Sequence, residues 1–318
     1  MNKVLRLDSR SVSLLILVCL WVLVIAGLAI LKPAALGGAM LTSVLQFSTI
    51  LALVALGQSL VILAGGAGID LSVGGAVSLS AIVAMLLLKA GMPSVLLPFA
   101  CMGAGLLLGL FNGYLVTRLR ILPLIATLGT FFVFSGLALA LTGGAAQSGV
   151  PQWMLSWGRG VWFSIPVPFL TATIPVFVLA AVVLGYTAWG RWIYAMGHNE
   201  TSARLVGIPV DRTRMILYAL SGLLAGVAGL VSLAWLGSGR PNIGQNLELE
   251  SLTAAMLGGI GIFGGRGGVG GVFAAVVLLI TLKTGLLQLN VNTVWQVGIV
   301  GALLIVVLLA DRFYQNRR

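Results

Sequence analysis

Charged residues are scarce in this sequence. Only 8% of its 318 residues are Asp, Glu, Lys or Arg, while 59% are hydrophobic. Soluble domains carry about 25% charged residues, so this composition excludes a soluble globular domain. One helical crossing of a bilayer needs about 20 apolar residues, and the chain is long enough for several crossings. The sequence therefore predicts an integral membrane protein.

Residue types that carry catalysis or bind metals are also rare. The chain has seven acidic residues, one histidine and two cysteines. Cys19 and Cys101 lie in separate apolar runs without CxxC spacing, which disfavours a disulfide or metal role. Glu248 and Glu250 suit the solvated start of a helix better than a glycosidase-type acid pair. A membrane-embedded enzyme is thus disfavoured, and we expect no catalytic residue, cofactor or metal.

A nucleotide-binding loop is missing as well. No GxxxxGK[ST] pattern occurs, and Lys283-Thr284 lacks the glycines that should precede it. The net charge of +11 does not indicate nucleic-acid binding, because the basic residues lie in short loops beside apolar runs. Any work driven by ATP would need a partner protein.

Apolar runs occupy most of the chain and predict an all-α polytopic membrane protein with about ten transmembrane helices in one domain, residues 1–318. The runs lie near residues 12–31, 43–64, 70–88, 97–117, 122–142, 168–188, 215–237, 251–264, 270–288 and 294–310. With both termini inside, thirteen of the eighteen Lys and Arg residues fall in cytoplasmic segments, as the positive-inside rule requires. Four basic residues fall outside: Lys32, Lys89, Arg159 and Arg240.

Two further features follow from this topology. Lys283 lies near the outer end of the ninth run, where its long side chain is expected to reach the headgroups. The outer segment at 143–167 carries four aromatic residues that suit an interfacial belt, namely Trp153, Trp157, Trp162 and Phe163.

Two glycine clusters interrupt the apolar runs. They read GGAGIDLSVGG at 65–75 and GGIGIFGGRGGVGG at 258–271. Helix breaks at membrane depth are tolerated only where protein or a cavity covers them. Spans two to five run opposite to spans seven to ten, which allows an inverted repeat. The two clusters do not fall at equivalent positions under that pairing, so their likeness is weak support for it.

A few polar residues lie within the predicted spans. Asp70 is expected to cap the third span at its cytoplasmic end, with a structural or gating role. The uncharged ones are Gln58, Asn112, Thr127 and Thr130. These four either face a translocation path or hydrogen-bond neighbouring helices to each other.

The polar segment 190–214 stands apart from the rest of the chain. It holds the only histidine, and its pattern predicts a short helix over 200–206. Asn199 suits the N-cap, Gly207 the left-handed closing position and Pro209 the stop, while Asp211 is expected to cap the seventh span. About two helical turns do not persist alone in water, so the helix needs a surface to dock on. The alternative is an ordinary solvated loop.

Four stretches resemble the permease subunits of bacterial ATP-binding cassette (ABC) importers of the ribose-type sugar family. From Gly197, GHNETSARLVGIPVDRTRMILYALSGLLAGVAGLV resembles the cytoplasmic coupling segment and the helix after it. GGAGIDLSVGG is similar to the signature around an Ile-Asp-Leu-Ser core. The other two stretches are LFNGYLVTRLRILPLIATLGT from Leu110 and GQNLELESLTAAMLGGIGIFGGRGGVGG from Gly244.

The resemblance implies a multi-pass subunit of the bacterial inner membrane that moves a monosaccharide or similar solute inward. Its implied partners are two ATP-hydrolysing subunits, a second permease subunit, identical or paralogous, and a periplasmic binding protein. The coupling residues it implies are Gly197, His198, Asn199, Glu200, Ala203, Arg204, Gly207 and Ile208. A self-sufficient secondary transporter or channel with inverted repeats is the alternative, but such proteins place ionisable residues deep in their spans.

Overall fold

The computed structural model describes residues 9–32 and 37–315, and helices dominate it. They are α1 (Ser9–Leu31), α2 (Gly38–Leu63), α3 (Val73–Lys89), α4 (Leu97–Thr117), α5 (Pro123–Thr142), α6 (Gln152–Arg159), α7 (Ile174–Tyr186), α8 (Ala188–His198), α9 (Glu200–Leu205), α10 (Val210–Leu236), α11 (Leu247–Leu257), α12 (Val269–Gln288) and α13 (Thr293–Gln315). Lys3, Arg6, Arg317 and Arg318, which count among the predicted cytoplasmic charges, lie outside the described residues.

Six helical stretches of the described chain are long and apolar enough to cross a membrane. They are Gly38–Leu63, Ser94–Thr117, Pro123–Thr142, Phe169–Tyr186, Val210–Leu236 and Val269–Gln288. Three shorter apolar stretches cover Leu17–Ile30, Val73–Lys89 and Val294–Val306. The expectation of an all-α, multi-pass membrane protein is therefore confirmed, while the count of ten spans stays a prediction.

The eighth predicted span is not one continuous helix. The apolar run at 251–264 predicted a crossing, but α11 ends at Leu257 and regular helix resumes only at Val269. Between them, Gly259, Gly264, Gly265 and Gly267 adopt positive φ angles of 85°, 87°, 72° and 113°. Right-handed helix cannot continue through such residues, and only glycine adopts them at low cost.

Helix α10 is the centre of the bundle and packs against α2, α3, α4 and α6. Small residues bring α4 and α10 close together. A Cβ atom added at Gly109 of α4 would lie only 2.9 Å from Gly222 Cα of α10, and one at Gly105 would lie 2.8 Å from Gly226 Cα. Close backbone approach of this kind lets dispersion hold helices together in lipid.

The short helices α3 and α11 pack in corresponding ways. Helix α3 contacts α4, α5 and α10, whereas α11 contacts α12, α13 and α2. In the same manner α4 packs on α10 and α12 packs on α2. Each of these contacts of α3 and α4 therefore has a counterpart at α11 and α12, so helices α2 to α5 correspond to helices α10 to α13.

The two ends of α10 define the two ends of the bundle. Its first residue follows α9, and its last turn meets α6, where Arg159 Nε donates to Trp235 O at 2.9 Å. We call these the α9 end and the α6 end. Two small antiparallel pairs lie in the region of α6: Gln147–Ser148 with Ser238–Gly239, and Val161–Trp162 with Ile165–Pro166.

Candidate functional site

Helix α9 is set up by its own flanking residues. The Asn199 side chain accepts a hydrogen bond from Ser202 N at 2.9 Å and caps the N-terminus. Gly207 closes the helix with φ of 85°. The helix spans Glu200–Leu205, one residue shorter than predicted. Local cap and stop residues were thus sufficient to locate it.

Arg204 and Arg214 tie α9 to the start of α10. Arg204 pairs with Glu200 at 2.9 Å and also with Asp211, and Arg214 Nη2 contacts Glu200 Oε2 at 2.7 Å. The hydrogen bond from Arg214 is the main cause that lowers the pKa of the Glu200 carboxyl. The prediction that Asp211 caps α10 is wrong. Pro209 holds that position without a side-chain hydrogen bond, and the Asp211 carboxylate pairs with Arg204 instead.

The two faces of α9 differ in exposure. Ala203 points into the bundle with 3% of its surface exposed, so its methyl group is covered within this chain. Leu205 and Val206 are 83% and 76% exposed. The predicted coupling residues include Ala203 but not Leu205 and Val206, an apolar pair just before the closing glycine. Two adjacent apolar side chains are thus exposed at the chain's most polar segment.

Behind α9, the two glycine clusters meet the end of α8. Gly265 N donates to Leu63 O at 2.9 Å. A Cβ atom at Gly65 would lie 2.9 Å from Gly197 Cα, and one at Gly264 would lie 2.6 Å from Gly65 Cα. We call Gly65, Gly197, Gly264 and Gly265 the glycine junction. It brings three separate stretches of backbone to one place, at the α9 end of the bundle.

Asp70 is the centre of a buried polar network. Its Oδ1 accepts from Ser72 N at 3.1 Å and from Ser72 Oγ at 2.6 Å, and its Oδ2 accepts from Ser221 Oγ at 2.8 Å. Asn112 Nδ2 donates to Ser72 Oγ at 2.6 Å, and Thr130 Oγ1 donates to Asn112 Oδ1 at 2.7 Å. These side chains, at most 5% exposed, join α4, α5 and α10 to the start of α3.

The position of Asp70 corrects the sequence prediction. It was expected at the cytoplasmic end of the third span, but its partner Ser221 is the twelfth residue of the 27-residue α10. That residue lies roughly 16 Å along the helix, at 1.5 Å per residue. Asp70 therefore lies deep in the bundle, because residues 64–72 run along α10 before α3 begins. It bonds to the N-cap residue Ser72 and does not occupy the cap position.

Thr127, another of the predicted polar residues, lies in the same region. Thr127 Oγ1 donates to Ile69 O at 3.1 Å, and Tyr218 OH does so at 3.5 Å. Asn112, Thr127 and Thr130 thus hydrogen-bond neighbouring segments to one another. Gln58 is different: it is 0% exposed, and neither side-chain polar atom has a hydrogen-bond partner within the described ranges.

Known proteins place the chain in a family. Residues 40–308 match a family described as the permease component of a branched-chain amino acid transport system. The chain is 38% identical to the ribose import permease protein of Bacillus subtilis, over 92% of this chain and 90% of that protein. It is 36% identical to the autoinducer 2 import system permease protein of Yersinia pseudotuberculosis, over 85% and 76%. The chain belongs to this permease family. No solved structure matches it.

The relatives in this family are permease components of transport systems. Within the part of the chain that the structure describes, no group of His, Cys, Asp or Glu residues is arranged to hold a metal ion. The expectation of a transporter subunit for a sugar-like solute agrees with relatives that import ribose and autoinducer 2.

The acids of α11 are less exposed than the sequence suggested. Glu250 was expected at a solvated helix start, but it pairs with Lys283 Nζ at 2.6 Å, and the two side chains are 13% and 28% exposed. Lys283 therefore reaches a carboxylate inside the permease, and the prediction that it extends to the headgroups is wrong. Glu248 Oε2 is buried against α3: a Cβ at Gly74 would lie 2.5 Å from it.

Proposed function

We propose that this permease carries a monosaccharide or similar small polar solute into the cytoplasm, driven by separate ATP-hydrolysing subunits. Its implied partners are two such subunits at the α9 end, a second permease subunit, and a periplasmic binding protein at the α6 end. The bilayer is the inner membrane of a bacterium. No catalytic residue or cofactor of its own is needed, since the chemistry of ATP hydrolysis resides in the partner.

The proposed topology has both termini in the cytoplasm and the α9 end facing it. Arg204 of α9 and Arg212 and Arg214 near the start of α10 support this orientation. The matching contacts of α2 to α5 and α10 to α13 support an inverted repeat, in which α3 and α11 are the corresponding interrupted helices. Ten crossings then require that α3 and α11 each cross only part of the bilayer as helix.

One observation carries the coupling role. Helix α9 has six residues, is joined to α10 by two arginines, and leaves Leu205 and Val206 uncovered. A helix this short is not stable in isolation, so its fixed position and apolar tip suit a surface that receives force. We assign the ATPase contact to His198, Asn199, Leu205, Val206, Gly207 and Ile208, with Gly197, Glu200, Ala203 and Arg204 holding the segment in place.

The polar side chains support a pathway that binds its solute weakly. Asn112, Thr127 and Thr130 use their hydrogen bonds within the protein, which leaves Gln58 as the predicted path residue with free donors and acceptors. A solute with several hydroxyl groups is then selected by the binding protein and released quickly by the permease.

The test is uptake by the assembled importer after substitution of Gly207. Asp at this position adds a negative charge at the C-terminal end of α9, where the helix dipole disfavours it. We expect Gly207→Asp to insert normally but to lose ATP-driven uptake. Gly207→Asn is the matched control, because it has the same shape and tolerates a left-handed backbone without the charge. Normal uptake by Gly207→Asp would contradict the coupling role.

A self-sufficient secondary transporter is the second candidate, and the depth of Asp70 favours it. Ionisable residues far inside a membrane bundle often serve ion coupling. Vesicles that contain this permease alone should then accumulate solute in response to an ion gradient without ATP. Uptake that requires ATP and the partner subunits would exclude this candidate.

A further inference from the structure

The glycine junction connects the segment of α8 and α9 to both interrupted helices. Leu63 is the last residue of α2, and Gly65 leads from it into residues 66–72, which precede α3. Gly264 and Gly265 lie between α11 and α12, and Gly197 is the second-last residue of α8. The three stretches are more than 60 residues apart in sequence, yet their backbones touch.

The contacts at Gly197 are made with main-chain atoms. A Cβ there would overlap Leu63 O and Gly265 N, and would lie 2.7 Å from Gly265 Cα. Main-chain atoms cannot move aside like the end of a flexible side chain, so a displacement of α8 toward them moves both stretches. Tyr194, one turn earlier on α8, adds a hydrogen bond from its OH to Gly267 O at 3.0 Å.

A second connection leaves the same segment. Arg214 of α10 pairs with Glu200 and lies against the first glycine cluster, where a Cβ at Gly66 would be 3.1 Å from Arg214 Cζ. The Arg214 side chain is 12% exposed. Residues 65 and 66 are therefore held between α8 and α10. They directly precede the stretch that ends at Asp70.

We propose that the glycine junction divides the motion of the ATPase-facing segment between two interrupted helices, with Gly197 and Tyr194 as the positioning residues. The inference rests on the proposed role as an ATP-driven permease. Motion of α8 and α9 would pass through Gly65 to the start of α3 and through Gly265 to the end of α11. Both interrupted helices then respond to one event.

The likeness of the two glycine clusters supports this role. An inverted repeat does not place them at equivalent positions, because the first precedes α3 and the second follows α11. We attribute the similar composition of the two clusters to their contact with each other at the glycine junction. Each supplies backbone without side chains to one crowded contact with Gly197.

The test compares Gly197→Ala with Gly270→Ala in the assembled importer. Gly270 lies five residues beyond the junction, and a Cβ there would meet no atom within 4 Å. We expect Gly197→Ala to retain ATP hydrolysis while solute moved per ATP falls about tenfold, which is within the usual range of coupling between sites. Gly270→Ala should keep the wild-type ratio. A wild-type ratio in an inserted, assembled Gly197→Ala importer would overturn the inference.

A second variant covers the case in which Gly197→Ala fails to insert. Tyr194→Phe removes only the hydroxyl that donates to Gly267 O, and should lower the same ratio by a smaller factor with unchanged membrane abundance. An unchanged ratio in Tyr194→Phe would then overturn the inference. If the wild-type importer itself shows no ATP-driven uptake, the proposed function fails. That result differs from a variant that hydrolyses ATP but moves less solute per ATP.

Amide hydrogen exchange adds a readout that a purely structural role would not move. On addition of a non-hydrolysable ATP analogue to the wild-type complex, protection of residues 64–72 and 258–268 should change together. In Gly197→Ala, the protection of these two stretches should no longer change together. A response confined to one stretch in the wild type would contradict a divided motion.

Discussion

Helices α3 and α11 are both short and both follow non-helical backbone, but they are held differently. The start of α3 is fixed by the Asp70 network, in which donors and acceptors from α4, α5 and α10 satisfy one another. The start of α11 carries Glu248 and Glu250. Glu250 pairs with Lys283, whereas Glu248 Oε2 has no hydrogen-bond partner among the residues that the structure describes.

This difference assigns separate mechanical roles to the two helices. A buried network whose groups are all paired is rigid, because moving one member leaves several groups unsatisfied. The start of α11 has fewer such bonds, namely the Glu250–Lys283 pair and the bond from Gly244 N to Ser78 Oγ at 3.0 Å, and can move at lower cost. We therefore expect both helices to respond when the glycine junction moves, with a smaller displacement of α3 than of α11.

The largest effect is expected from removal of the Asp70 carboxylate. Asp70→Ala leaves Ser72 and Ser221 without their buried acceptor, and should lower the free energy of unfolding by about 3 kcal/mol or more. Asp70→Asn retains one carbonyl acceptor and should cost less. Thermal unfolding in detergent, with membrane abundance, measures both. Equal stability of Asp70→Ala and wild type would show that α3 is held by other contacts.

The ion pair of α11 should contribute less and should affect motion more than stability. Lys283→Met leaves the Glu250 charge partly buried and unpaired, whereas Lys283→Met with Glu250→Leu removes both charges. A double-mutant cycle is expected to give an interaction of about 1–3 kcal/mol. The double variant should unfold near the wild-type temperature but transport at a different rate. An interaction energy near zero would show that the ion pair does not help to hold α11 and that packing alone does.

The contrast between these helices marks the limit of sequence reasoning here. Cap residues located α9 to within one residue because the signals are local: Asn199, Gly207 and Pro209 act on backbone a few positions away. The helix breaks were visible as glycine runs, but their depth was not, since it depends on how residues 64–72 fold back along α10. The partners Ser221 of Asp70 and Glu250 of Lys283 are far away in sequence, so no spacing rule finds them.

A smaller effect is expected at the edge of the Asp70 network. Thr130→Val keeps the volume of the side chain and removes the hydroxyl that donates to Asn112 Oδ1. The unfolding free energy should fall by about 1 kcal/mol, the net value of one hydrogen bond. Thr142→Val is a matched control on the same helix, because its hydroxyl bonds only within α5. Equal losses of unfolding free energy in both variants would show that the Thr130 hydroxyl does not help to hold the start of α3.

The smallest effect concerns the charged contacts of α9 and depends on pH. Arg214 and Arg204 lower the pKa of Glu200, so the carboxylate binds its proton less readily in the folded state. The stabilisation is therefore present above the unfolded pKa of about 4.3 and is lost as pH falls through the lower folded pKa. Exposed pairs contribute about 0.2–1 kcal/mol. Thermal midpoints of wild type and Glu200→Gln should thus differ at neutral pH and converge below about pH 4. A difference that stays constant with pH would assign the role of Glu200 to packing, and the junction of α9 with α10 would then depend on Arg204 and Asp211 instead.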